Sequence, residues 1–241
     1  MKVLALDTTT RAGSVALLVD DRVVEERAGD ASRSHAERLP TEIVALAAAH
    51  DLAIADVDLF AVASGPGSFT GLRIGIATMQ GLAFVHHRPL AGIPALEALA
   101  LLGGDGLADG SIVAPWIDAH RREVFTALYR VTYAPLDGVA GLPQVVEIEG
   151  ATVGAPDVTL RRWLENGIRA GAFIGDGAVL YCDTIAHAMP AGRILPAPPL
   201  AGAVGRLAAA GLHGTGAGPA AIQPLYVRRP DVEIARDEKL R

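Results

Sequence analysis

Ser64-Gly65-Pro66-Gly67-Ser68-Phe69-Thr70-Gly71-Leu72-Arg73 joins a short apolar run, residues 59–63, to a segment rich in glycine. The apolar run ends at a Gly-Pro-Gly turn, which is typical of a buried strand. Ser68 is well placed to cap a helix that extends to about Val85. The stretch therefore predicts a strand, a tight turn and a helix.

The predicted helix has almost no polar face, since its charged and amide side chains come only from Arg73 and Gln80. Each glycine inside it should cost the helix about 0.8 to 1 kcal/mol relative to alanine. Close approach by another helix would offset that loss. We therefore expect a contact surface for a partner protein. Its candidate residues are Gly71, Leu72, Arg73, Gly75, Ile76 and Met79.

Two other interpretations of this segment stay open. The helix can be buried wholly within its own chain, in which case its apolar residues belong to the core. The glycines of the turn can also cradle a phosphate at the helix start. Pro66 removes one amide donor from such a cradle, however, and no lysine follows it.

Composition describes a chain that can build a large core without cross-links. The 241 residues are 51% hydrophobic with a mean hydropathy of +0.33, enough for one large domain or two small ones. No apolar run approaches the roughly 18 residues of a membrane span. The single cysteine, Cys182, fits a reducing compartment. We expect a cytoplasmic protein with no membrane partner.

The charge balance excludes several classes of function. A net charge of −6 argues against a chain that grips nucleic acid alone, because phosphates require a basic face. The only lysines, Lys2 and Lys239, lie at the two ends. A Walker phosphate loop is therefore excluded, and Schiff-base catalysis is disfavoured.

The order of predicted elements indicates the fold. Three strands within residues 3–27 precede the pattern helix, strand, helix, strand, helix. This order matches the ribonuclease-H-like half-domain that actin, sugar kinases and the Hsp70 ATPase contain in duplicate. A second apolar run ends in Asp118 as the first ends in Asp7, which suggests a repeat.

We predict an α/β, actin-like duplication of two ribonuclease-H-like lobes, with mixed sheets flanked by helices. The N-terminal lobe is expected at residues 1–103 and the C-terminal lobe at 111–230. Residues 231–241 are charged and are expected to form a flexible tail. We also expect a last strand near 222–227 and a turn at 175–177.

These motifs together resemble the TsaB family, formerly called YeaZ. The resemblance covers nearly the whole chain. It rests above all on GPGSFTGLRIG, residues 65–75, which is highly specific. The weaker supporting motifs are LALDTTT at 4–10, SVAL at 14–17, IDA at 117–119, REVF at 122–125 and PLYVR at 224–228.

The resemblance implies a subunit without demonstrated catalysis of its own. Family members support synthesis of the threonylcarbamoyl modification on the tRNA adenosine beside the anticodon. They pair with the paralogous catalytic subunit TsaD, are helped by the ATPase TsaE, and form homodimers when alone. The pairing surface includes the helix after the glycine turn. By this resemblance, ATP and metal are expected on the partners, with no cofactor here and tRNA engaged through the complex.

No catalytic or metal residue is expected in this chain. TsaD-like paralogs carry two histidines four residues apart, where this sequence has Ala95 and Leu99, and none of its seven histidines forms such a pair. The sequence contains no G-x-S-x-G motif, which argues against a serine peptidase. Weak nucleotide-binding candidates are Asp7, Thr8, Thr9 and Ser14.

The leading hypothesis is a non-catalytic scaffold that docks on the catalytic paralog. A bulky residue in place of Gly75 should then abolish pairing while the monomer stays folded, and Arg73 should pair with an acidic rim on the partner. The alternative is an autonomous actin-like ATPase or small-molecule kinase that uses Asp7, Asp118 and Asp176. Calorimetry with ATP and magnesium separates the two hypotheses.

Overall fold

A computed structural model describes residues 1–20, 22–133, 143–211 and 218–228. The first half of the chain contains β1 (Lys2–Asp7), β2 (Ser14–Val19), β3 (Arg22–Ala28), α1 (His35–Ala48), β4 (Leu59–Gly65), α2 (Phe69–Val85), β5 (Leu90–Pro94) and α3 (Ala95–Gly103). The second half contains β6 (Ile112–Asp118), β7 (Val124–Tyr133), β8 (Pro143–Gly154), α4 (Pro156–Glu165), β9 (Ala172–Ile174), α5 (Asp176–Leu180), α6 (Cys182–Ala188), β10 (Arg193–Leu195) and α7 (Ala201–Ala209).

The two halves form sheets of the same topology. The strand orders are β3-β2-β1-β4-β5 and β8-β7-β6-β9-β10 when both are read in the same direction. In each sheet the first three strands pair antiparallel, and the last two run parallel to the first. Asp7 and Asp118 end the equivalent strands β1 and β6. The predicted duplication of two mixed-sheet, actin-like lobes is confirmed.

Strand β1 shows how the layers are built, because its side chains alternate between two buried faces. Leu4 and Leu6 pack in one cluster with residues of α1 and α2. Val3 and Ala5 point to the opposite face and pack in another cluster, which contains residues of α7. The first sheet is therefore covered on both sides, as its nearly continuous apolar strands require.

The last helix of each half packs mainly on the sheet of the other half. Helix α7 follows the second sheet in sequence but contacts β1, β2 and β4. Helix α3 follows the first sheet and contacts β6, β7, β8 and β9. Both helices contribute to one hydrophobic cluster with residues of both sheets. The two lobes thus share a continuous core.

Several elements differ from the sequence expectation. Residues 222–227 do not form a strand; after a 3₁₀ turn at Pro219–Ala221 they form an irregular segment whose Leu225 amide donates to the Ser64 carbonyl at 2.7 Å. The expected turn at 175–177 instead begins α5. Strands β8 and β10 and helix α6 were not predicted. Most of β8 is only partly buried, so it lacks a clear apolar face in sequence.

The expected lobe boundaries at residues 103 and 111 stay predictions, although β6 begins at Ile112. The expected tail, 231–241, lies outside the described residues. Among the helices that the structure describes, none has both the length and the apolar character to cross a membrane.

Candidate functional site

Helix α2 begins as its sequence predicts. The Ser68 hydroxyl accepts a hydrogen bond from the Gly71 amide at 3.2 Å, which satisfies one of the free amides of the first turn. The Ser68 amide donates to the Thr9 carbonyl at 2.8 Å. The glycine turn is thereby tied to the turn that follows β1.

Gly71 and Gly75 are required by close packing inside the chain. A Cβ atom on Gly71 would lie 2.2 Å from the Thr8 carbonyl oxygen, and one on Gly75 would lie 2.2 Å from Thr8 Oγ1. Both distances are far shorter than a van der Waals contact. The predicted close approach therefore exists, but the neighbour is the turn after β1 and not a partner helix.

The apolar residues predicted to contact a partner lie in the core of the chain itself. Leu72, Ile76 and Met79 are 1%, 4% and 0% exposed. Ile76 and Met79 pack in the cluster between α1, α2 and the first sheet. These side chains are therefore closed to a partner in this conformation, which corrects their expected placement; the partner role of the helix stays a prediction.

Arg73 is exposed, as a contact residue requires. Its guanidinium carbon lies 3.9 Å from the centroid of the Phe69 ring, and its Nε donates to the Tyr226 hydroxyl at 3.0 Å. The Phe69 and Tyr226 rings lie 5.3 Å apart, and both are about two-fifths exposed. Arg73 thus connects α2 with the C-terminal segment, whereas the acidic rim expected for it would belong to a partner.

The outward side of α2 is open to solvent and mostly apolar. Phe84 and Val85 are 75% and 67% exposed, and Ala77 and Gly81 are also exposed. A Cβ on Gly81 would meet no atom within 4 Å. We call Phe69, Arg73, Ala77, Gly81, Phe84 and Val85 the outer face of α2. Sequence reasoning missed most of it because the helix is apolar on nearly every side.

The C-terminal segment, residues 218–228, binds along α2 and continues to the second lobe. Gln80 Nε2 donates to the carbonyls of Pro219 and Ile222, both at 3.0 Å. Further along, Arg228 donates to the Ala119 carbonyl at 2.7 Å and to the Glu123 carboxylate. The buried side of α2 and one flank are therefore occupied by the chain itself.

A cleft of about 170 Å³ lies between the lobes, near the ends of β1, β6 and β9. This volume is smaller than the roughly 300 to 1,000 Å³ typical of small-molecule sites. Its lining residues come from both halves of the chain: Asp7, Thr9, Thr10, Ala12, Gly13, Ala28, Leu99, Ile117, Asp176, Ala197, Pro198, Pro199 and Leu200. It therefore includes two of the four nucleotide-binding candidates, Asp7 and Thr9.

Asp7 is held by its own turn. Its Oδ1 accepts hydrogen bonds from the Thr9 amide at 2.8 Å and the Thr9 hydroxyl at 2.7 Å. Burial raises the pKa of the Asp7 carboxyl, and the Thr9 hydrogen bonds only partly offset this effect. Thr8 Oγ1 is buried without a hydrogen-bond partner among the described residues, and it packs against Gly75.

Ser14 and Glu26 occupy the start of α7, the place where a helix attracts anions. The Ser14 hydroxyl accepts from the amides of Leu200 and Ala201 at 3.0 and 2.9 Å. Glu26 Oε1 accepts from the Gly202 amide at 2.9 Å and from Ser14 Oγ at 3.1 Å. The chain thus supplies its own carboxylate to these donors, so a phosphate group there would have to displace Glu26.

A buried basic cluster supports the turn after β1. His35 Nε2 lies 3.0 Å from the Thr10 carbonyl, and Arg38 Nη2 lies 2.8 Å from His35 Nδ1. Since Arg38 can only donate, Nδ1 accepts and Nε2–H donates to Thr10, which fixes a neutral imidazole. Burial and the Arg38 charge lower the His35 pKa. Arg38 also pairs with Glu42 at 2.6 Å.

The equivalent turn in the second lobe, residues 119–123, is strained. His120, Arg121 and Arg122 have φ angles of 58°, 54° and 64°. This left-handed conformation costs a non-glycine residue roughly 1 to 2 kcal/mol. Asp118 accepts from the His120 amide at 2.8 Å, and the Asp118 amide donates to Asp176 Oδ1 at 3.0 Å. The aspartates proposed for a kinase thus stabilise local turns.

The described residues contain no group of three or more His, Cys, Asp or Glu side chains arranged to hold a metal. Ala95 and Leu99, at the positions of the paralog's two histidines, are 0% and 3% exposed. Cys182 is partly buried and lies 3.9 Å from Asp183 Oδ1.

Comparison with known proteins identifies the family. The family of TsaD, tRNA N6-adenosine threonylcarbamoyltransferase, matches residues 27–157. The Escherichia coli tRNA threonylcarbamoyladenosine biosynthesis protein TsaB is 30% identical over 190 residues, which span 75% of this chain and 81% of that protein. The chain belongs to the TsaB (YeaZ) family.

Other similarities agree with this TsaB assignment. The TsaB protein of Bacillus subtilis is 35% identical over 58% of this chain, and the match spans 59% of that relative's length. The structure of YeaZ from Pseudomonas aeruginosa matches with a TM-score of 0.71 at 30% identity, over 93% of this chain and 99% of that one. An activator of 2-hydroxyisocaproyl-CoA dehydratase from Clostridium difficile, with bound ADPNP, has a TM-score of 0.50 at 11% identity and shares the fold alone.

Alanine at Gly75 and alanine at Gly81 should have opposite effects on the stability of the protein. Gly75→Ala places a methyl group against the buried Thr8 side chain, and overpacking of this kind costs about 1 to 3 kcal/mol. Gly81→Ala meets open space and should stabilise the helix by about 0.8 to 1 kcal/mol. Urea unfolding of the two variants measures both effects. Equal stability of the Gly75 variant and the wild type would contradict the packing described here.

The His35 cluster should make stability depend on pH. Because the folded state lowers the His35 pKa, the unfolded chain binds the proton more readily, so the free energy of unfolding should fall as pH drops below about 6.5. Asp7 has the opposite effect on the free energy of unfolding. Because its pKa is raised in the folded state, the folded state binds the proton more readily and gains stability in acid. The wild type should therefore be compared with His35→Gln between about pH 7.5 and 5. If the free energy of unfolding changed with pH equally in the two proteins, that result would contradict a neutral, buried His35.

Proposed function

We propose that this chain is a non-catalytic scaffold subunit in the synthesis of threonylcarbamoyladenosine on tRNA. The family assignment supports the process, since its named relatives are threonylcarbamoyladenosine biosynthesis proteins. In this proposal the chain pairs with a TsaD-type catalytic paralog, which transfers threonylcarbamoyl to the adenosine beside the anticodon. ATP and metal belong to the partners, including a TsaE-type ATPase, and the chain works in the cytoplasm.

The observation that carries the proposal is the outer face of α2. Its C-terminal end exposes the neighbouring residues Phe84 and Val85 to solvent. Apolar side chains in solvent do not stabilise the folded monomer, and an exposed apolar patch is typical of an interaction site. Gly81 lies one turn earlier with open space above it, so a helix of another subunit can approach the backbone closely. An aromatic anchor beside a small residue is a composition suited to an interface centre.

The packing of α2 also supports this role. Leu72, Ile76 and Met79 fix the helix firmly on the first sheet, so the outer face is presented without rearrangement. Preorganisation of this kind reduces the entropy lost on association. The same face can pair with a second copy of the chain when the paralog is absent, which gives the proposed homodimer.

A negative charge at the C-terminal end of this face should weaken pairing. Phe84→Glu removes an aromatic anchor and buries a carboxylate at the contact, so association with a TsaD-type paralog should weaken about 30-fold or more, the loss typical of a 2 kcal/mol anchor. Titration calorimetry with the purified paralog measures the change. The matched control is Val158→Glu, at a 56%-exposed position on α4 of the other lobe. Equal affinity of both variants would overturn the proposed surface.

The alternative is an autonomous ATPase or small-molecule kinase. It would bind its nucleotide in the cleft lined by Asp7 and Asp176. The small cleft and the placement of Glu26 at the start of α7 favour the scaffold. We expect no heat of binding when the isolated chain is titrated with ATP and magnesium. Micromolar binding that disappears on Asp7→Asn would support the kinase instead.

A further inference from the structure

Two contacts hold the Arg73 side chain in one orientation on the outer face of α2. Its guanidinium carbon lies 3.9 Å from the centroid of the Phe69 ring, a distance typical of a cation–π interaction. Its Nε donates a hydrogen bond to the Tyr226 hydroxyl at 3.0 Å. A long side chain on an exposed helix surface otherwise samples many rotamers. The two contacts therefore fix the direction in which the guanidinium points.

The outer end of this guanidinium has no partner in the described part of the chain. Nη1 and Nη2 of Arg73 form no hydrogen bond and no ion pair with any residue that the structure describes. By contrast, Arg38, Arg162 and Arg228 each pair with a carboxylate of the chain itself. A guanidinium that is held at Nε and keeps its Nη groups unused has donors placed for a carboxylate.

Arg73 lies on the surface that a partner of α2 would cover. Arg73, Ala77 and Gly81 follow one another at intervals of four residues, so they share one side of the helix. Gly81 lies roughly 12 Å along the axis from Arg73. A stable interface buries about 800 Å² on each partner, a patch roughly 30 Å across, so one centred near Gly81 also covers Arg73. Removing an unpaired charge from water is costly, so the partner must supply an anionic group.

The α2 helix of a second copy of this chain does not supply that group. Residues 69–85 contain no aspartate or glutamate, and His86, His87 and Arg88 follow them. In a two-fold symmetric pair, each contact occurs twice. Parallel helices would bring Arg73 near the Arg73 of the second copy, and antiparallel helices would bring it near the basic end of α2. Self-pairing through this face therefore leaves the guanidinium among positive charges.

We propose that Arg73, positioned by Phe69 and Tyr226, makes α2 select the TsaD-type paralog over a second copy by pairing with a carboxylate of the paralog. The inference rests on the proposed function, because it requires that the paralog covers the outer face. Tyr226 is a positioning residue that the C-terminal segment contributes to this surface. Selection follows because the paralog pairs the charge and a second copy leaves it unpaired.

The first test compares paralog binding, by titration calorimetry, with self-association, by sedimentation velocity. Arg73→Gln should weaken paralog binding about 30-fold or more, the loss typical of a buried charge pair, and should leave self-association equal or stronger. Arg73→Lys keeps the charge without the planar fork, so its affinity should lie between those of the wild type and Arg73→Gln. Arg73→Glu should bind more weakly than Arg73→Gln, because two carboxylates would then face each other.

A control variant tests whether any lost arginine has the same effect. Arg161→Gln removes an arginine of α4 whose side chain is 67% exposed. It should change neither paralog binding nor self-association.

The second test is a double-mutant cycle for Tyr226. Tyr226→Phe keeps the ring and removes the hydroxyl, so it should weaken paralog binding about threefold to tenfold, the range expected for one hydrogen bond. In the Arg73→Gln background the same change should have no further effect, because Tyr226 acts through Arg73. A loss of equal size in both backgrounds would show that Tyr226 acts by holding the C-terminal segment and would overturn its positioning role.

The outcomes distinguish this inference from the function on which it rests. Wild-type paralog affinity in Arg73→Gln, or equal losses in paralog binding and self-association, would overturn the selection by Arg73 alone. A wild type that binds a second copy as tightly as the paralog would also overturn it. Failure of the wild type to associate with the paralog would overturn the proposed function and this inference together.

Discussion

The contact between Thr8 and the glycines of α2 determines how the rest of the molecule is arranged. Gly71 and Gly75 let the helix backbone lie directly on the turn after β1, at distances that no side chain would permit. That contact sets the rotation of α2 about its axis. Leu72, Ile76 and Met79 consequently enter the core, and Phe84 and Val85 remain outside. One steric constraint thus decides which side of an almost uniformly apolar helix faces solvent.

Polar groups at the cleft between the lobes form hydrogen bonds with other groups of the same chain. Asp7 is satisfied by Thr9, and the amide donors at the start of α7 are satisfied by Ser14 and Glu26. Asp7, Ser14 and the amides at the start of α7 therefore have partners within the chain. Binding a phosphate would require the loss of hydrogen bonds that already exist, and this cost favours a structural role for the cleft.

The sequence predicted the fold well because its signals were local and repeated. The run ending in Asp7, the turn, the paired strand and the later run ending in Asp118 defined both lobes. Ser68 was correctly placed as a helix cap. Strand β8 escaped prediction because it is mostly partly exposed and has no continuous apolar face.

The candidate contact surface was harder to predict than the fold. Glycine at positions 71, 75 and 81 carries the same propensity signal, yet two of these residues contact Thr8 and one faces open space. The spacing of residues in the sequence shows which of them share a face of the helix, but not which face packs on the sheet. Likewise, the contacts of Arg228 and Gln80 join residues more than one hundred positions apart, and no local pattern contains them.

The exchange of α3 and α7 between the sheets has a consequence for how this protein acquires its structure. The first sheet cannot be covered on both faces until the chain beyond the second sheet has been synthesised, because α7 packs on β1, β2 and β4, in a sheet that begins at residue 2. Such long-range pairing slows folding. An isolated N-terminal half would expose a broad apolar sheet surface to water and would be prone to aggregate.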